Sequence, residues 1–228
     1  FMASGKKALA AITIGQAPRV DIMGDIAPML PAHVEVREYG ALDDYTLEQI
    51  EAAVTVEPGD EMLVSRMRDG HQAHFTQRFV NPLVQAKIDQ AEREGADAVA
   101  LFCTGVFPEF HHEKLFLEPQ PLLHAVARNL AGGKRIGILV PMPDQVEQAY
   151  EFWGRSGVDV FVASASPYLD FEAVKEAGKQ FADKDLAFMC TDCMGYSAAM
   201  KEALEETSGL PVLLPRTLAA RILTELLV

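Results

Sequence analysis

Two cysteines in matching local settings are the residues of this sequence best able to do chemistry. Each follows an apolar segment of strand length and stands two positions before a glycine, in segments 100–105 (ALFCTG) and 187–195 (AFMCTDCMG). A cysteine where a buried strand ends holds its sulfur at the mouth of a cleft, beside free backbone N–H groups. Cys103 and Cys193 therefore indicate two half-sites facing one substrate, which is the arrangement of two-base proton transfer.

The ionisation of these thiols decides whether they can act as bases. A thiol has an ordinary pKa of about 8.5, which arginine, backbone amides or a helix N-terminus lowers. We predict that Cys103 and Cys193 both stand just before helices, and we expect a positive field at each. The alternative is that each is a small buried apolar residue, because free cysteine is among the most buried residue types.

The second segment contains a further cysteine and an acid. Cys190 and Cys193 have the C-x-x-C spacing of redox pairs and of half zinc sites. The remaining cysteine and histidines form no second close pair, and we predict no metal site. We place Cys190 inside the strand. Asp192, at its end, either supports the neighbouring thiol or caps the helix that follows.

Candidate donors for an anionic group lie in two other loops and beside the cysteines. Gly15, Gln16 and Arg19 stand where a strand ends and a helix begins, a place with free N–H groups that attract anions. Arg66 precedes a turn glycine, and arginine binds a carboxylate through two parallel hydrogen bonds. The alternative for Arg19 is a solvated side chain, and the alternative for the loop of Arg66 is a surface β-turn with an Arg–Asp pair. The remaining candidate binding residues are Thr104, Gly105, Met194, Gly195 and Tyr196.

Apolar runs of strand length alternate with amphipathic stretches of helical length along the chain, which predicts an α/β fold with mainly parallel sheets. Predicted strands cover 8–14, 34–39, 62–65, 98–102, 135–140, 158–162, 186–190 and 212–214. Predicted helices cover 21–29, 46–53, 76–94, 112–129, 145–153, 170–181, 197–206 and 216–227. Ligands of open α/β sheets bind beyond the carboxyl ends of the strands, where the cysteine loops lie.

The order of these elements divides the chain into two similar halves. Each half begins with a strand after basic residues and closes with a strand that ends in cysteine, x, glycine. We therefore predict two pseudo-symmetric Rossmann-like halves with an interdomain cleft. Residues 6–129 form the N-terminal half with Cys103, and residues 134–214 form the C-terminal half with Cys193. A closing helix over 215–228 is expected to pack back on the N-terminal half.

Composition limits the partners and the compartment. A net charge of −13 over 228 residues argues against a nucleic-acid surface. A small anionic ligand fits the charge, because salt screens distant surface charges over about 10 Å. The sequence shows neither a membrane-length apolar run nor a signal-length one near its start, and three cysteines fit a reducing cytoplasm. No glycine-rich nucleotide fingerprint is present, and a homodimer is the base-rate expectation.

Taken together, the motifs resemble the AroM family from residue 8 to the end of the chain. The resemblance lies in segments 13–21 (TIGQAPRVD), 66–70 (RMRDG), 103–108 (CTGVFP), 166–168 (SPY), 192–196 (DCMGY) and 216–221 (RTLAAR). More distantly, the paired cysteines and duplicated halves resemble the aspartate/glutamate/hydantoin racemase superfamily. Its members use two cysteines at an interdomain cleft without pyridoxal phosphate or metal.

This distant resemblance implies roles for particular residues. Cys103 and Cys193 would be the acid and base, with Thr104 and the amides after each cysteine cradling a substrate carboxylate. Two departures separate the chain from glutamate racemases. No histidine follows Cys193. Gly15 and Gln16 stand where those enzymes have Asp-Ser. The resemblance therefore does not imply an amino-acid substrate.

The leading hypothesis is a cofactor-independent racemase or isomerase of a small carboxylate substrate. The first alternative is a non-catalytic small-molecule-binding or regulatory protein with the same cleft. The second is a thiol-redox protein that uses Cys190 and Cys193.

Overall fold

The computed structural model describes residues 5–228 as ten strands and eight α-helices. Residues 1–4, the beginning of the segment in which we found no signal-length apolar run, lie outside the described residues. The strands are β1 (Lys7–Thr13), β2 (Val34–Gly40), β3 (Met62–Arg66), β4 (Gln72–Thr76), β5 (Ala98–Leu101), β6 (Leu115–Leu117), β7 (Ile136–Val140), β8 (Val160–Ser164), β9 (Met189–Thr191) and β10 (Val212–Leu213). The helices are α1 (Val20–Ile26), α2 (Leu47–Ala53), α3 (Gln77–Arg93), α4 (Pro119–Ala131), α5 (Gln145–Arg155), α6 (Phe171–Gly178), α7 (Ala198–Ser208) and α8 (Pro215–Leu227).

The strands form two parallel sheets that share one topology. The first sheet has the order β2-β1-β5-β6 and the second has β8-β7-β9-β10. When only the strands of each sheet are numbered in chain order, both sheets read 2-1-3-4. The chain therefore reverses its winding between the first and third strands of each sheet, and this switch point is where open α/β sheets bind ligands. The predicted α/β class with two pseudo-symmetric halves is confirmed.

Local sequence explains why these elements form where they do. After Lys7, every residue of β1 is buried, and so is all of β7, as expected for inner strands of a sheet covered on both faces. Thr46 caps α2 in a capping box with Gln49, and Ser197 accepts a hydrogen bond from the Met200 N–H at the start of α7.

Two predictions about the N-terminal half are wrong. Residues 72–75 lie in no predicted element and the helix is predicted from residue 76, whereas Gln72–Thr76 forms β4, an antiparallel partner of β3, and α3 begins at Gln77. The helix predicted from residue 112 begins only at Pro119, because Leu115–Leu117 pairs with β5 as an edge strand. Proline suits the first helical turn, where its missing N–H costs no hydrogen bond. Residues 102–114 therefore contain no helix, and Cys103 does not precede one.

The helices α4 and α8 each pack on the sheet of the other half. Buried residues of α8, including Ala219 and Leu223, pack with α1 and the first sheet. Buried residues of α4, including Leu123 and Ala127, pack with Trp153 in the core of the second sheet. Sequence order had assigned α4 to the N-terminal half. One face of the first sheet is therefore covered by α8, which follows the strands of the second sheet, and one face of the second sheet is covered by α4, which follows the strands of the first.

None of the helices in residues 5–228 combines the length and apolar character needed to cross a membrane.

Candidate active site

The two cysteine loops are built alike. The residue before each cysteine donates its backbone N–H to the first strand of its sheet, Phe102 to the Ile12 carbonyl at 2.7 Å and Asp192 to the Leu139 carbonyl at 2.8 Å. These ties hold each loop at the switch point of its sheet.

Each sulfur in these loops has the same backbone partner. The Gly105 N–H donates to Cys103 Sγ at 3.3 Å, and the Gly195 N–H donates to Cys193 Sγ at 3.3 Å. The cysteine, x, glycine spacing thus folds into the same small turn in both halves.

Both thiols line one cavity of about 80 Å³ between the halves. Five members of the predicted site meet there, and they are Cys103, Thr104, Gly105, Asp192 and Cys193. The other walls come from strand β3, helix α4, the end of β7 and helix α5. They include Leu63, Val64, Gln120, Val140, Gln145, Gln148 and Phe152. A cavity of this size suits a small ligand.

Burial keeps both thiols neutral in the free protein. It raises the pKa of Cys103 to about 12, although the Gly105 N–H and the charge of Arg19 act in the opposite direction. Burial also raises the pKa of Cys193, against the lowering effects of the Tyr168 hydroxyl, the Gly195 N–H and Arg19. The expected lowering of both pKa values is therefore wrong, because desolvation outweighs the positive field.

Arg19 is a buried cation held by its own loop. Its guanidinium forms a two-pronged ion pair with Asp21, through Nε at 2.9 Å and Nη2 at 2.8 Å, while Nη1 donates to the Thr13 and Ser65 hydroxyls. Burial disfavours the charge, yet the contacts with Asp21 and Tyr168 leave the pKa of Arg19 above its ordinary value. The side chain does not line the cavity and contributes through its charge.

Asp192 anchors a buried polar network that joins the halves. Its carboxylate accepts hydrogen bonds from Trp153 Nε1 at 2.8 Å and, in the amide orientation that satisfies all partners, from Gln120 Nε2 at 3.0 Å. The same amide donates to the Thr104 carbonyl and accepts from His124 Nε2 at 2.8 Å. Burial raises the pKa of Asp192 to about 6 despite these hydrogen bonds. Ser197 caps α7, so the capping alternative for Asp192 is wrong.

Seven of the nine predicted binding residues do not line the cavity, and three of these, Gly15, Gln16 and Arg66, lie around the β3 hairpin. The Gln16 amide donates to the Leu42 and Tyr45 carbonyls and accepts the Arg68 N–H, so every polar atom of its side chain is used within the protein. A Cβ on Gly15 would stand 2.5 Å from the Arg66 carbonyl, which shows why the β3 hairpin needs glycine there. The Arg66 guanidinium is half-buried and hydrogen-bonds to no residue of the described 5–228.

The remaining predicted residues pack beneath the Cys193 loop. Tyr196 is fully buried and donates its hydroxyl to the Ala165 carbonyl at 2.7 Å. The Met194 carbonyl accepts two hydrogen bonds from Arg216, a fully buried residue of α8 that also pairs with Asp25 at 2.7 Å. Arg216 thus ties the loop after Cys193 to two helices.

Cys190 lies in the core on the face of the second sheet opposite the cluster that Cys193 contacts. It is fully buried among residues such as Ile138 and Trp153, whereas Cys193 packs in the cluster around Tyr196. All three cysteines are free thiols. Within residues 5–228, no three histidine, cysteine or acidic side chains gather closely enough to hold a metal ion.

A family comparison agrees with this geometry. The AroM protein family model matches residues 9–227. The chain belongs to the AroM family. Curated proteins give no match to this AroM sequence.

Solved structures of the aspartate/glutamate racemase superfamily share the fold of this AroM protein. Allantoin racemase from Klebsiella pneumoniae is 13% identical, with 96% of this chain and 87% of that chain covered and a TM-score of 0.64. Aspartate racemase from Picrophilus torridus is 15% identical, with 97% and 94% covered and a TM-score of 0.63. Maleate isomerase from Pseudomonas putida is 11% identical, with 96% and 93% covered and a TM-score of 0.65.

Three residues of the site were missing from the predicted set. Tyr168 approaches Cys193, and it belongs to the Ser-Pro-Tyr segment that the family resemblance had already marked. Arg216 likewise opens a segment of that resemblance. Gln120 carries no sequence signal of its role, because Thr104 and Asp192, its partners outside its own helix, come from separate parts of the chain.

Proposed function

We propose that this AroM protein is a cofactor-independent racemase or isomerase of a small carboxylate substrate. Cys103 and Cys193 act as its acid and base. One observation carries the proposal, namely that both thiols line a single small cavity from equivalent strand ends of two sheets with the same topology. The names of the similar solved structures, two racemases and an isomerase, support the same class of reaction.

In the proposed reaction, a carbon acid binds between the sulfurs. One sulfur, as thiolate, takes the proton next to the carboxylate, and the other, as thiol, delivers a proton to the opposite face. Because both thiols are neutral in the free protein, one must first release its proton to solvent.

The charge that develops on the substrate needs hydrogen-bond donors. The backbone N–H groups of Thr104 and Met194, each directly after a cysteine, donate to no acceptor within residues 5–228. These pseudo-equivalent amides are the proposed donors to the carboxylate and to the enolate-like state, since fixed donors contribute most where charge develops. Arg19 supports the anion through its charge. Arg66 lies outside the cavity and its guanidinium forms no hydrogen bond within residues 5–228, and it is the proposed second cation that supports the carboxylate through its charge.

The test is proton NMR in D₂O with a panel of amino acids, hydroxy acids, hydantoins and substituted malonates. Exchange at the carbon next to the carboxylate is expected with the native protein and is expected to fall by about 10² to 10⁴ in Cys103→Ser and Cys193→Ser. Cys190→Ala is the matched control, because this thiol is buried away from the cavity, and it should exchange normally. Full exchange in both serine variants would remove the mechanism.

A ligand-binding protein without turnover is the second candidate. The high pKa values of both thiols favour it, because neutral thiols suit a cavity that only binds. It predicts a ligand-induced thermal shift with no exchange at any protein concentration, and only modest changes in affinity in the serine variants.

The proposed chemistry needs reduced thiols, which fits the expected cytoplasmic location.

A further inference from the structure

The two candidate catalytic thiols differ in one contact. The Tyr168 hydroxyl lies 3.5 Å from Cys193 Sγ. Cys103 Sγ has a single hydrogen-bond partner within residues 5–228, the Gly105 N–H. The two loops share their backbone hydrogen bonds. Asp192, which precedes Cys193 where Phe102 precedes Cys103, raises the pKa of both thiols. Tyr168 is therefore the contact that breaks the pseudo-symmetry of the site.

The local structure fixes this tyrosine against the Cys193 loop. The Tyr168 N–H donates to Ser166 Oγ at 3.2 Å, which shapes the turn after β8. A Cβ on Gly195 would stand 2.6 Å from the Tyr168 Oη and Cζ atoms. Gly195 therefore has two tasks: its N–H donates to the sulfur, and its missing side chain leaves room for the ring.

A buried charge lies next to the phenol. The Arg19 guanidinium carbon is 5.9 Å from the centroid of the Tyr168 ring, within reach of a cation–π interaction. Its ion pair with Asp21 fixes the guanidinium in place. A neighbouring cation makes a phenol a stronger hydrogen-bond donor. The pKa of Tyr168 is raised by burial, so the hydroxyl keeps its proton and remains available to donate.

We propose, resting on the function proposed above, that Tyr168 is a positioning residue that donates a hydrogen bond to the Cys193 thiolate. It thereby makes Cys193, and not Cys103, the thiol that ionises first. A hydrogen bond to an ionised acceptor is roughly twice as strong as one between neutral groups, so the contact favours the thiolate over the thiol.

The protons balance in this scheme. Cys193 first releases its proton to water, and its thiolate then takes the proton from the substrate carbon. Cys103 gives its thiol proton to the opposite face of that carbon and is left as a thiolate. Cys103 then takes a proton from water while Cys193 releases one, and the starting state returns.

The test measures the ionisation of each cysteine without any substrate. Iodoacetamide is applied between pH 6 and pH 11, and mass spectrometry of the Cys103 and Cys193 peptides gives separate alkylation rates, with the Cys103 rate expected to be still rising at pH 11. In the native protein we expect the Cys193 midpoint at lower pH. In Tyr168→Phe we expect it to rise by about one to two pH units, the size of one charged hydrogen bond. The rate at neutral pH then falls roughly 3- to 15-fold, because a more basic thiolate is also a better nucleophile.

Controls separate a local effect from a general one. Cys103 in the same sample should not change, and Tyr45→Phe removes a phenol hydroxyl from the other half and should move neither midpoint. A native Cys103 midpoint at or below that of Cys193 overturns the proposal. So does an unchanged Cys193 midpoint in Tyr168→Phe, or an equal shift of both thiols.

A second measurement leaves Tyr168 untouched. In Cys103→Ser the thiolate absorbance reports the ionisation of Cys193, and in Cys193→Ser it reports the ionisation of Cys103. The buried Cys190 is present in both variants. The first variant should titrate at lower pH, and the reverse order refutes the proposal. Neither measurement needs turnover, so a failure to find exchange with any acid would refute the proposed function and leave this test intact.

Discussion

Arg216 offers the sharpest test of how the structure holds the Cys193 loop. Its side chain is fully buried and makes four hydrogen bonds. Two go to the Met194 carbonyl, one to the Asp21 carbonyl and one to the Asp25 carboxylate, so a single guanidinium joins α8, α1 and the loop after Cys193. We predict that Arg216→Met is strongly destabilising, although methionine fills much of the same apolar volume.

The magnitude follows from what the substitution leaves behind. Removing one partner of a buried ion pair costs about 3–5 kcal/mol, because the other charge stays without compensation. The Asp25 side chain is 26% exposed, so water compensates part of its charge, and we expect the lower end of that range, about 3 kcal/mol. For a domain of this size the melting temperature should then fall by about 6–12 °C.

The assay is thermal and urea unfolding beside a matched variant. Arg221→Met makes the same substitution in the same helix, but Arg221 is exposed, and its free energy of unfolding should change by less than about 0.5 kcal/mol. Asp25→Asn removes the charge while keeping an acceptor for Arg216 and for the Ala198 N–H, and it should cost less than Arg216→Met. If Arg216→Met melts within about 2 °C of Arg221→Met, well short of the expected drop, the ion-pair argument fails.

Three further predictions test the site and its surroundings. Gly195→Ala should cost about 1–3 kcal/mol in urea unfolding, since its Cβ would meet the Tyr168 ring at 2.6 Å. Gly154→Ala should instead stabilise by about 0.5–1 kcal/mol, because this exposed helical glycine has open space around it; equal effects of the two would contradict the packing argument. Burial lowers the pKa of His124 to about 4. The unfolded chain therefore binds a proton at this histidine from about pH 6.5 downward, whereas the folded protein does not. As a result, the free energy of unfolding decreases as the pH falls from 6.5 to 4. His124→Gln should therefore lose less stability than the native protein between pH 7 and pH 5, and an equal loss would show that His124 is not the group responsible. Trp153→Phe removes the hydrogen bond to the Asp192 carboxylate and should lower the free energy of unfolding by about 1.5–3 kcal/mol in the same assay. An unchanged free energy of unfolding would mean that this hydrogen bond contributes no net stability.

The sequence predicted the fold class and most inner strands for a clear physical reason. Strands such as β1 and β7 are apolar over nearly their whole length, and parallel strands covered on both faces need that composition. The same pattern missed β4 and β6. The edge strand β6 has only three residues, and β4 mixes polar and apolar residues in a hairpin, so neither shows a long apolar run.

The sequence by itself also determined where the two cysteines lie. Each stands directly after a buried strand and two residues before a glycine, and chain connectivity then carries Cys103 and Cys193 to equivalent switch points. Local spacing is enough for this, because the glycine N–H that meets each sulfur is only two residues away. The motif and its turn are encoded together.

Only the tertiary structure decided the chemical state and the partners of those thiols. Burial, which depends on the whole cavity, outweighs the positive field that spacing had predicted, and both thiols are neutral. Tyr168, Gln120 and Arg216 reach the cysteine loops from distant segments, across sequence separations that no local pattern records. The asymmetry between two similar half-sites therefore arises from long-range packing, whereas their similarity arises from the local sequence.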